Sequence, residues 1–446
     1  MIAFATTCKG RVPHIQQTLP KNLDDNAIAK FVLVDYGACD DELAIYIQSA
    51  HMQDIESGRL VYYRYPYPGA FRMAHAKNLA HRCAMREGAD ILVNLDADNF
   101  TSYRFDEYVK YLFDLAYVDH RMFGHPNCFL WARMLHNGQM RRGVSGRICM
   151  TARSFLLAGG YDERFEAWGP DDKDMNLRLQ RLGLLPMEID SKYLDALPHK
   201  DKMRFREYPE AALPKTDSSD LHVNYTIRDC AVVNFGQIGC GTVYRNFCPD
   251  PIEIKPLPTR IFGIGMQKTA TTSLHHAFET LGFDSAHWID GKWAVRIMKD
   301  MRIEGRSPLM ERHYALCDLP FPIIFMQLDR GYPGSKFILT VRDEADWLTS
   351  ARDHWSYEKN PNRTDWDKYP GPNLIHRETY GRADFDALTF LERYRRHNEE
   401  VKNYFRNRPD DLLVMEMSKG AGWSELCPFV DRPIPEKEYP KAYAAY

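Results

Sequence analysis

The stretch Gly263-Ile264-Gly265-Met266-Gln267-Lys268-Thr269-Ala270-Thr271-Thr272-Ser273-Leu274 sets one lysine and a run of hydroxyls after an apolar segment, where a helix begins. Backbone N–H groups at a helix N-terminus, joined by one point charge, bind an anionic group such as a phosphate. The spacing is not GxxxxGK[ST], and no second metal carboxylate follows, so nucleoside triphosphate with Mg²⁺ is a poor fit. Upstream, Asp96-Ala97-Asp98 offers two hard oxygen ligands, as a divalent cation bridging a diphosphate requires. Trp168-Gly169-Pro170-Asp171-Asp172 then puts an acidic cluster at the head of a helical pattern, where the helix dipole favours ionised carboxylates.

These groups need elements to hold them. Ile2 to Thr7, Phe31 to Tyr36, Leu60 to Tyr65 and Ile91 to Asp98 are strand-like apolar runs, with a helical pattern over Met73 to Glu87. Such alternation predicts a largely parallel sheet covered by helices, with ligands beyond the carboxyl ends of the strands. Asp35 and the Asp96/Asp98 pair fall at such ends. Past Asp172, Met175, Leu179 and Leu182 supply a packing face. Cys248 to Arg260 holds four prolines, which lack backbone donors and disfavour helix and central strand. We read residues 249–259 as a linker between a domain over 1–248 and another over 260–446. The pattern restarts there, with a helix over Thr272 to Leu281 and a strand over Lys336 to Val341.

The chain of 446 residues is long enough for two cores, and 44% hydrophobic with 27% charged residues excludes global disorder. A net charge of -3 argues against nucleic acid as a partner and for specific anions. The start lacks the long apolar core of a secretory signal, and no run reaches membrane-spanning length. Ten cysteines without a CxxC pair read as reduced thiols in a cytosol. Oligomeric state is silent.

The first block resembles glycosyltransferases of the GT-A fold, Rossmann-like α/β enzymes that use nucleotide-sugar donors. The nearest likeness is to inverting β-galactosyl- and N-acetylgalactosaminyltransferases, whose motif of Trp-Gly followed shortly by two acidic residues aligns with Trp168 to Asp172. The resemblance implies Asp172 as general base, and Asp171 and Trp168 at the acceptor. It implies Asp98 and His199 as ligands of Mn²⁺, or Mg²⁺, with Asp96 near the ribose or the metal. Asp35, Lys77, Asn78 and Asp96 would face the donor, expected to be a UDP-hexose or UDP-N-acetylhexosamine. For His75 to Asn78 the alternative is a solvated helical face. Pro170 stands where galactosyltransferases carry Gly, which touches the sugar pocket.

The second block resembles sulfotransferases that use 3′-phosphoadenosine-5′-phosphosulfate (PAPS), with a P-loop-type α/β fold. Their K-[TS]-G-T-T loop aligns with Lys268 to Thr272, Ala270 taking the place of Gly and therefore calling for unstrained backbone angles there. Arg342 closes a strand and Ser350 follows eight positions later, the family's spacing for the 3′-phosphate. The resemblance assigns PAPS to Lys268, Thr269, Ala270, Thr271, Thr272, Ser273, Arg342, Ser350, Lys419 and Gly420. Asp318, before Leu319-Pro320, inherits the base, with His287, His313 and His354 as competitors. Trp347, Trp355 and Trp423 read mainly as core aromatics.

Together these resemblances imply a bifunctional enzyme acting on a carbohydrate, whether oligosaccharide, polysaccharide or glycolipid, in a bacterial cytoplasm or at the inner membrane's surface. A kinase or NTPase in the second half, or a half that only binds glycans, are the alternatives.

Overall fold

The fold comes from a computed structural model describing residues 1–37, 41–119, 128–133, 135–136, 139–140, 143–165, 171–198, 233–288, 290–360, 363–368 and 370–441. It divides into two compact units, Met1–Pro256 and Leu257–Tyr446.

The strands of the first unit are β1 (Ile2–Cys8), β2 (Lys30–Tyr36), β3 (Leu60–Tyr65), β4 (Ile91–Asn94), β5 (Asn99–Phe100), β6 (Cys128–Trp131), β7 (Leu135–His136), β8 (Gln139–Met140), β9 (Ile148–Thr151), β10 (Leu185–Glu188), β11 (Asp195–Ala196), β12 (Gly241–Arg245) and β13 (Pro251–Ile254). Nine of them form one sheet in the order β10-β6-β9-β4-β1-β2-β3-β12-β13. The middle four, β4-β1-β2-β3, are parallel. They are apolar along almost their whole length because the sheet is covered on both faces there. Phe4 meets Phe31 edge-on at 4.9 Å in this core.

The flanks depart from the parallel expectation. β9 runs antiparallel to β4 and β6, and the β12–β13 pair is antiparallel too, as the short connection between those two strands demands. The stretch read as a linker is therefore partly structure, since β13 is the outer edge strand. An edge strand leaves one row of donors unused, and Pro251 occupies its first position, where a missing N–H costs nothing. β4 also stops at Asn94, so Asp96 and Asp98 sit in the turn beyond the strand, not within it.

The second unit has β14 (Ile261–Gly263), β15 (Ser285–His287), β16 (Ala315–Cys317), β17 (Lys336–Thr340) and β18 (Leu412–Met415), in the order β15-β16-β14-β17-β18 and all parallel. The first strand in sequence lies at the centre, so chain connections leave it in both directions and a crevice opens at its carboxyl end. The loop after β14 crosses that end and enters the helix Thr271–Thr280. Gly265 permits the crossing, because a Cβ there would stand 2.0 Å from Thr340 Oγ1. Thr269 Oγ1 pins the loop, bonding to Met266 O and Thr340 Oγ1 at 2.6 Å each.

Ala270 does not meet the expectation of unstrained angles. Its φ is +71° and Lys268's is +68°, both in the left-handed region. The loop must reverse there to point the first N–H groups of the helix outward, and an L side chain held in that conformation costs about 1–2 kcal/mol. Replacing Ala270→Gly should thus stabilise the second unit by about 0.5–1 kcal/mol, after allowing for the freer unfolded chain. The check is the denaturation midpoint of that unit, and an unchanged or lower midpoint would contradict the strain.

Candidate functional site

Charged groups of the first unit converge on the helix Met73–Arg86, which packs on β1 and β2. Its His75, Ala76, Lys77 and Asn78 are all buried, which overturns the solvated-face alternative. Lys77 is 3% exposed, with Nζ 2.7 Å from Asp171 Oδ2 and 2.6 Å from Asp172 Oδ1. Burial pulls the ammonium's pKa down, but Asp171, Asp172 and Asp96 outweigh it and hold the lysine charged. Burial also pushes Asp172 up to about 7, with Lys77 opposing the rise and Asp171 and Asp96 adding to it. Removing Lys77 from such a buried set would leave two carboxylates unpaired, at a cost of about 3–5 kcal/mol.

Asp171 and Asp172 open the helix Asp171–Arg181, with Arg178 and Arg181 in its last turn to complete the dipole match. Met175 and Leu179 are fully buried below them, so the helix is clamped at its packing face. Asn78 works on the chain itself. Its Nδ2 donates to Tyr161 O at 2.8 Å and Glu163 Oε1 at 2.9 Å, and its Oδ1 accepts from Tyr161 N at 2.7 Å. Asp35, at the end of β2, is buried and accepts from Tyr62 Oη at 2.7 Å.

Beyond β4, Asp96 is half-buried, and a Cβ on Gly146 would lie 2.5 Å from its Oδ2, so only glycine leaves that carboxylate room. Asp98 is buried, accepting from Asn99 Nδ2 at 2.9 Å and lying 3.5 Å from Arg11 Nη1. β11 pairs with β5, and Leu197 N donates to Asp98 O at 2.8 Å, which brings the segment preceding residue 199 to the acidic turn. Trp168 and His199 themselves lie outside the described residues. Two hard carboxylates are the donor type a divalent cation takes, with Arg11 the competing charge at Asp98. A different group of three, His275, His276 and Glu279 in the second unit, has ligand atoms within 4.8 Å of one another. It was not anticipated.

In the second unit the expected residues gather at one end of the parallel sheet. Lys268 follows β14, Asp318 follows β16 and Arg342 follows β17. Burial lowers the Lys268 pKa; Asp318 counters this and Arg342 reinforces it, so the three feel one another's charge. Arg342 is fixed by its backbone, its N–H donating to Tyr394 Oη at 2.9 Å while that hydroxyl donates to Arg342 O at 2.8 Å. Ser350 is half-buried in the helix Glu344–Trp355, whose N-terminus Asp343 caps. Lys419 is exposed and lies 3.0 Å from Glu416 Oε2, with Gly420 next to it at φ +94°. Thr269 and Ser273 are buried, and Thr272 is exposed at the head of its helix.

His287, at the end of β15, has Nε2 3.0 Å from Thr271 Oγ1 and 3.4 Å from Asp318 Oδ2. His313 turns to Asp284, at 2.9 Å. His354 is lowered to about 3 by burial and the charge of Lys268, so it is neutral at working pH. Trp347, Trp355 and Trp423 are buried, Trp347 stacking on Tyr394 at 4.2 Å, as core aromatics do. The sequence reading missed Arg11 beside Asp98 and the union of Lys77 with both aspartates; a cationic side chain inside a small-residue helix was the available signal for the latter.

No helix among the described residues is long and apolar enough to cross a membrane. Among solved structures, the mannosyltransferase PcManGT from Pyrobaculum calidifontis, in complex with GDP-Man and Mn2+, is 14% identical with a TM-score of 0.33, over 46% of this chain and 59% of that one. S. aureus TarS 1-349 is 12% identical with a TM-score of 0.31, over 43% and 59%. The catalytic domain of Drosophila beta1,4galactosyltransferase 7, complexed with xylobiose, is 14% identical with a TM-score of 0.30, over 46% and 72%. The chain thus spans under two thirds of the first two, and superpositions this partial establish no shared activity. Ava biosynthesis cluster protein M of Aspergillus versicolor is 26% identical over 213 residues, 41% of this chain and 79% of that protein. This curated relative is fungal, so a bacterial source gains no support from it. Residues 260–445 match the family described as Sulfotransferase domain, and the second unit is accordingly a sulfotransferase-type domain.

Proposed function

We propose that the chain is a bifunctional glycan-modifying enzyme. The second unit transfers a sulfonate from PAPS to a carbohydrate hydroxyl, and the first transfers a sugar from a UDP-hexose or UDP-N-acetylhexosamine with inversion. The carrying observation is the meeting of Lys268, Asp318 and Arg342 at the carboxyl ends of adjoining parallel strands, inside the matched sulfotransferase domain.

In the second unit the acceptor oxygen bonds to sulfur as its proton passes to Asp318. The bond from sulfur to the bridging oxygen breaks, its electron pair staying on the departing nucleotide, where Lys268 offsets the charge. Arg342 and Ser350 hold the 3′-phosphate, and Thr271 and Thr272 offer the 5′-phosphosulfate the head of their helix. Lys419 and Gly420 close on the nucleotide from the loop after β18.

In the first unit Asp172 takes the acceptor proton, and a pKa near neutrality is what such a base needs. Lys77 holds the two aspartates apart from solvent and in register, and Asp171 orients the acceptor. Asp96, Asp98 and His199 would hold Mn²⁺ or Mg²⁺, which when bound offsets charge on the leaving diphosphate. The products would be sulfated polysaccharide or glycolipid, made in the cytoplasm.

With labelled donors supplied separately, Asp172→Asn should lower glycosyl transfer by about 10²–10⁴-fold and leave sulfonate transfer intact. Lys268→Ala should do the reverse, by about 10²–10³-fold. If each substitution instead abolished the other reaction, the assignment of sites would be wrong. The pH dependence has a definite sign as well. Glycosyl transfer should rise with pH through about 7, as Asp172 loses its proton. Stability moves the opposite way: the folded state keeps a proton that the unfolded chain releases near its ordinary carboxylate pKa of about 4. The contribution is complete below that value and lost as pH climbs to about 7, and the slope should vanish in Asp172→Asn when unfolding is followed across that window.

A further inference from the structure

Asp318 carries one oxygen that the fold does not use. The residue is 8% exposed, and its Oδ1 has no hydrogen-bond partner among the described residues. A buried acceptor left this way is destabilising, so its persistence calls for a reason. The backbone at Asp318 is left-handed as well, with φ +74°, so the carboxylate is held there at the expense of local strain.

The other oxygen faces an imidazole. β15 and β16 are parallel neighbours with His287 opposite Cys317, which sets His287 next to Asp318 at the open end of the sheet. His287 Nε2 lies 3.4 Å from Asp318 Oδ2, 3.0 Å from Thr271 Oγ1 and 3.4 Å from Thr272 Oγ1. Its ring is backed by His275 at 5.8 Å, and His275 Nδ1 is in turn bonded to Ser285 Oγ at 2.8 Å. One nitrogen of a backed ring therefore touches both the head of the phosphate-loop helix and the expected base.

We propose that His287 is a positioning residue: it ties Asp318 Oδ2 to the hydroxyls of Thr271 and Thr272, and so leaves Oδ1 free to take the acceptor proton. The inference rests on the sulfotransferase reading of the second unit. During transfer the acceptor O–H proton moves to Asp318 Oδ1, the oxygen–sulfur bond forms, and the sulfur–bridging-oxygen bond breaks with its electrons remaining on the nucleotide. His287 neither gains nor loses a proton across these steps. Asp318 returns its proton to solvent once the product has left.

The experiment uses the full chain, radiolabelled PAPS and an array of glycosides as acceptors, with calorimetric binding of the product nucleotide as a check on folding. His287→Ala should lower kcat by about 10–100-fold, the scale expected when a reacting group is misplaced by about 1 Å, while KM for PAPS and nucleotide binding stay near wild type. His287→Gln, which keeps an N–H donor, should recover most of the rate. The double variant His287→Ala, Asp318→Asn should be no worse than Asp318→Asn alone. Wild-type kcat in His287→Ala overturns the proposal, as does a rise in KM for PAPS with kcat unchanged. If His287→Gln is as inactive as His287→Ala and Asp318→Asn stays active, His287 is itself the base and the positioning role is wrong. Nucleotide binding without sulfonate transfer by the wild-type chain to any glycoside would instead remove the sulfotransferase reading beneath it.

Discussion

A lysine ammonium as deeply buried as that of Lys77 is tolerable only with its charge matched at hydrogen-bond distance, and the match is made by two carboxylates from a distant helix. Much of the first unit serves that requirement. The helix bearing Lys77 is lined with alanines that let it lie close to the sheet, and Asn78, one residue on, uses its whole amide to hold the chain at Tyr161 and Glu163. The acidic helix is thereby approached from a fixed point. Low local polarity then raises the basicity of Asp172, an effect the same residue would not show in water.

The second unit solves a related difficulty with backbone conformation. Three residues around its crevice, Lys268, Ala270 and Asp318, occupy left-handed angles without being glycine. Each sits where a strand gives way to a loop at the carboxyl end of the sheet, and each is bounded by buried residues that resist relaxation. Strain of this kind survives when packing over-determines the chain, and it clusters where a site needs side chains aimed against local preference.

The apolar runs of β1, β2 and β3 were legible because strands buried on both faces need hydrophobic residues at nearly every position. The helix over Lys77 was legible from its length. What lay hidden was set by contacts remote in sequence. Nothing in the order of residues pairs Lys77 with Asp171 and Asp172, and the neighbourhood of His287 and Asp318 depends on the register of two short strands, each preceded by long stretches of chain. Edge strands were obscure for another reason: prolines that rule out a central strand are compatible with β13, where one side has no partner to satisfy. The Lys268, Asp318 and Arg342 trio was named from the resemblance to sulfotransferases, and the three come together because their loops end adjoining parallel strands in this sheet order.

Gly146 stands against Asp96 so closely that any side chain would displace the carboxylate. Substitution there has to move that carboxylate, although the residue contributes nothing but its own absence of bulk. In a saturation survey, each replacement at position 146 would be tolerated only as far as the Asp96 carboxylate can swing aside. The response at such a position measures the room an acidic neighbour needs, and a residue can fix where a carboxylate stands by what it lacks.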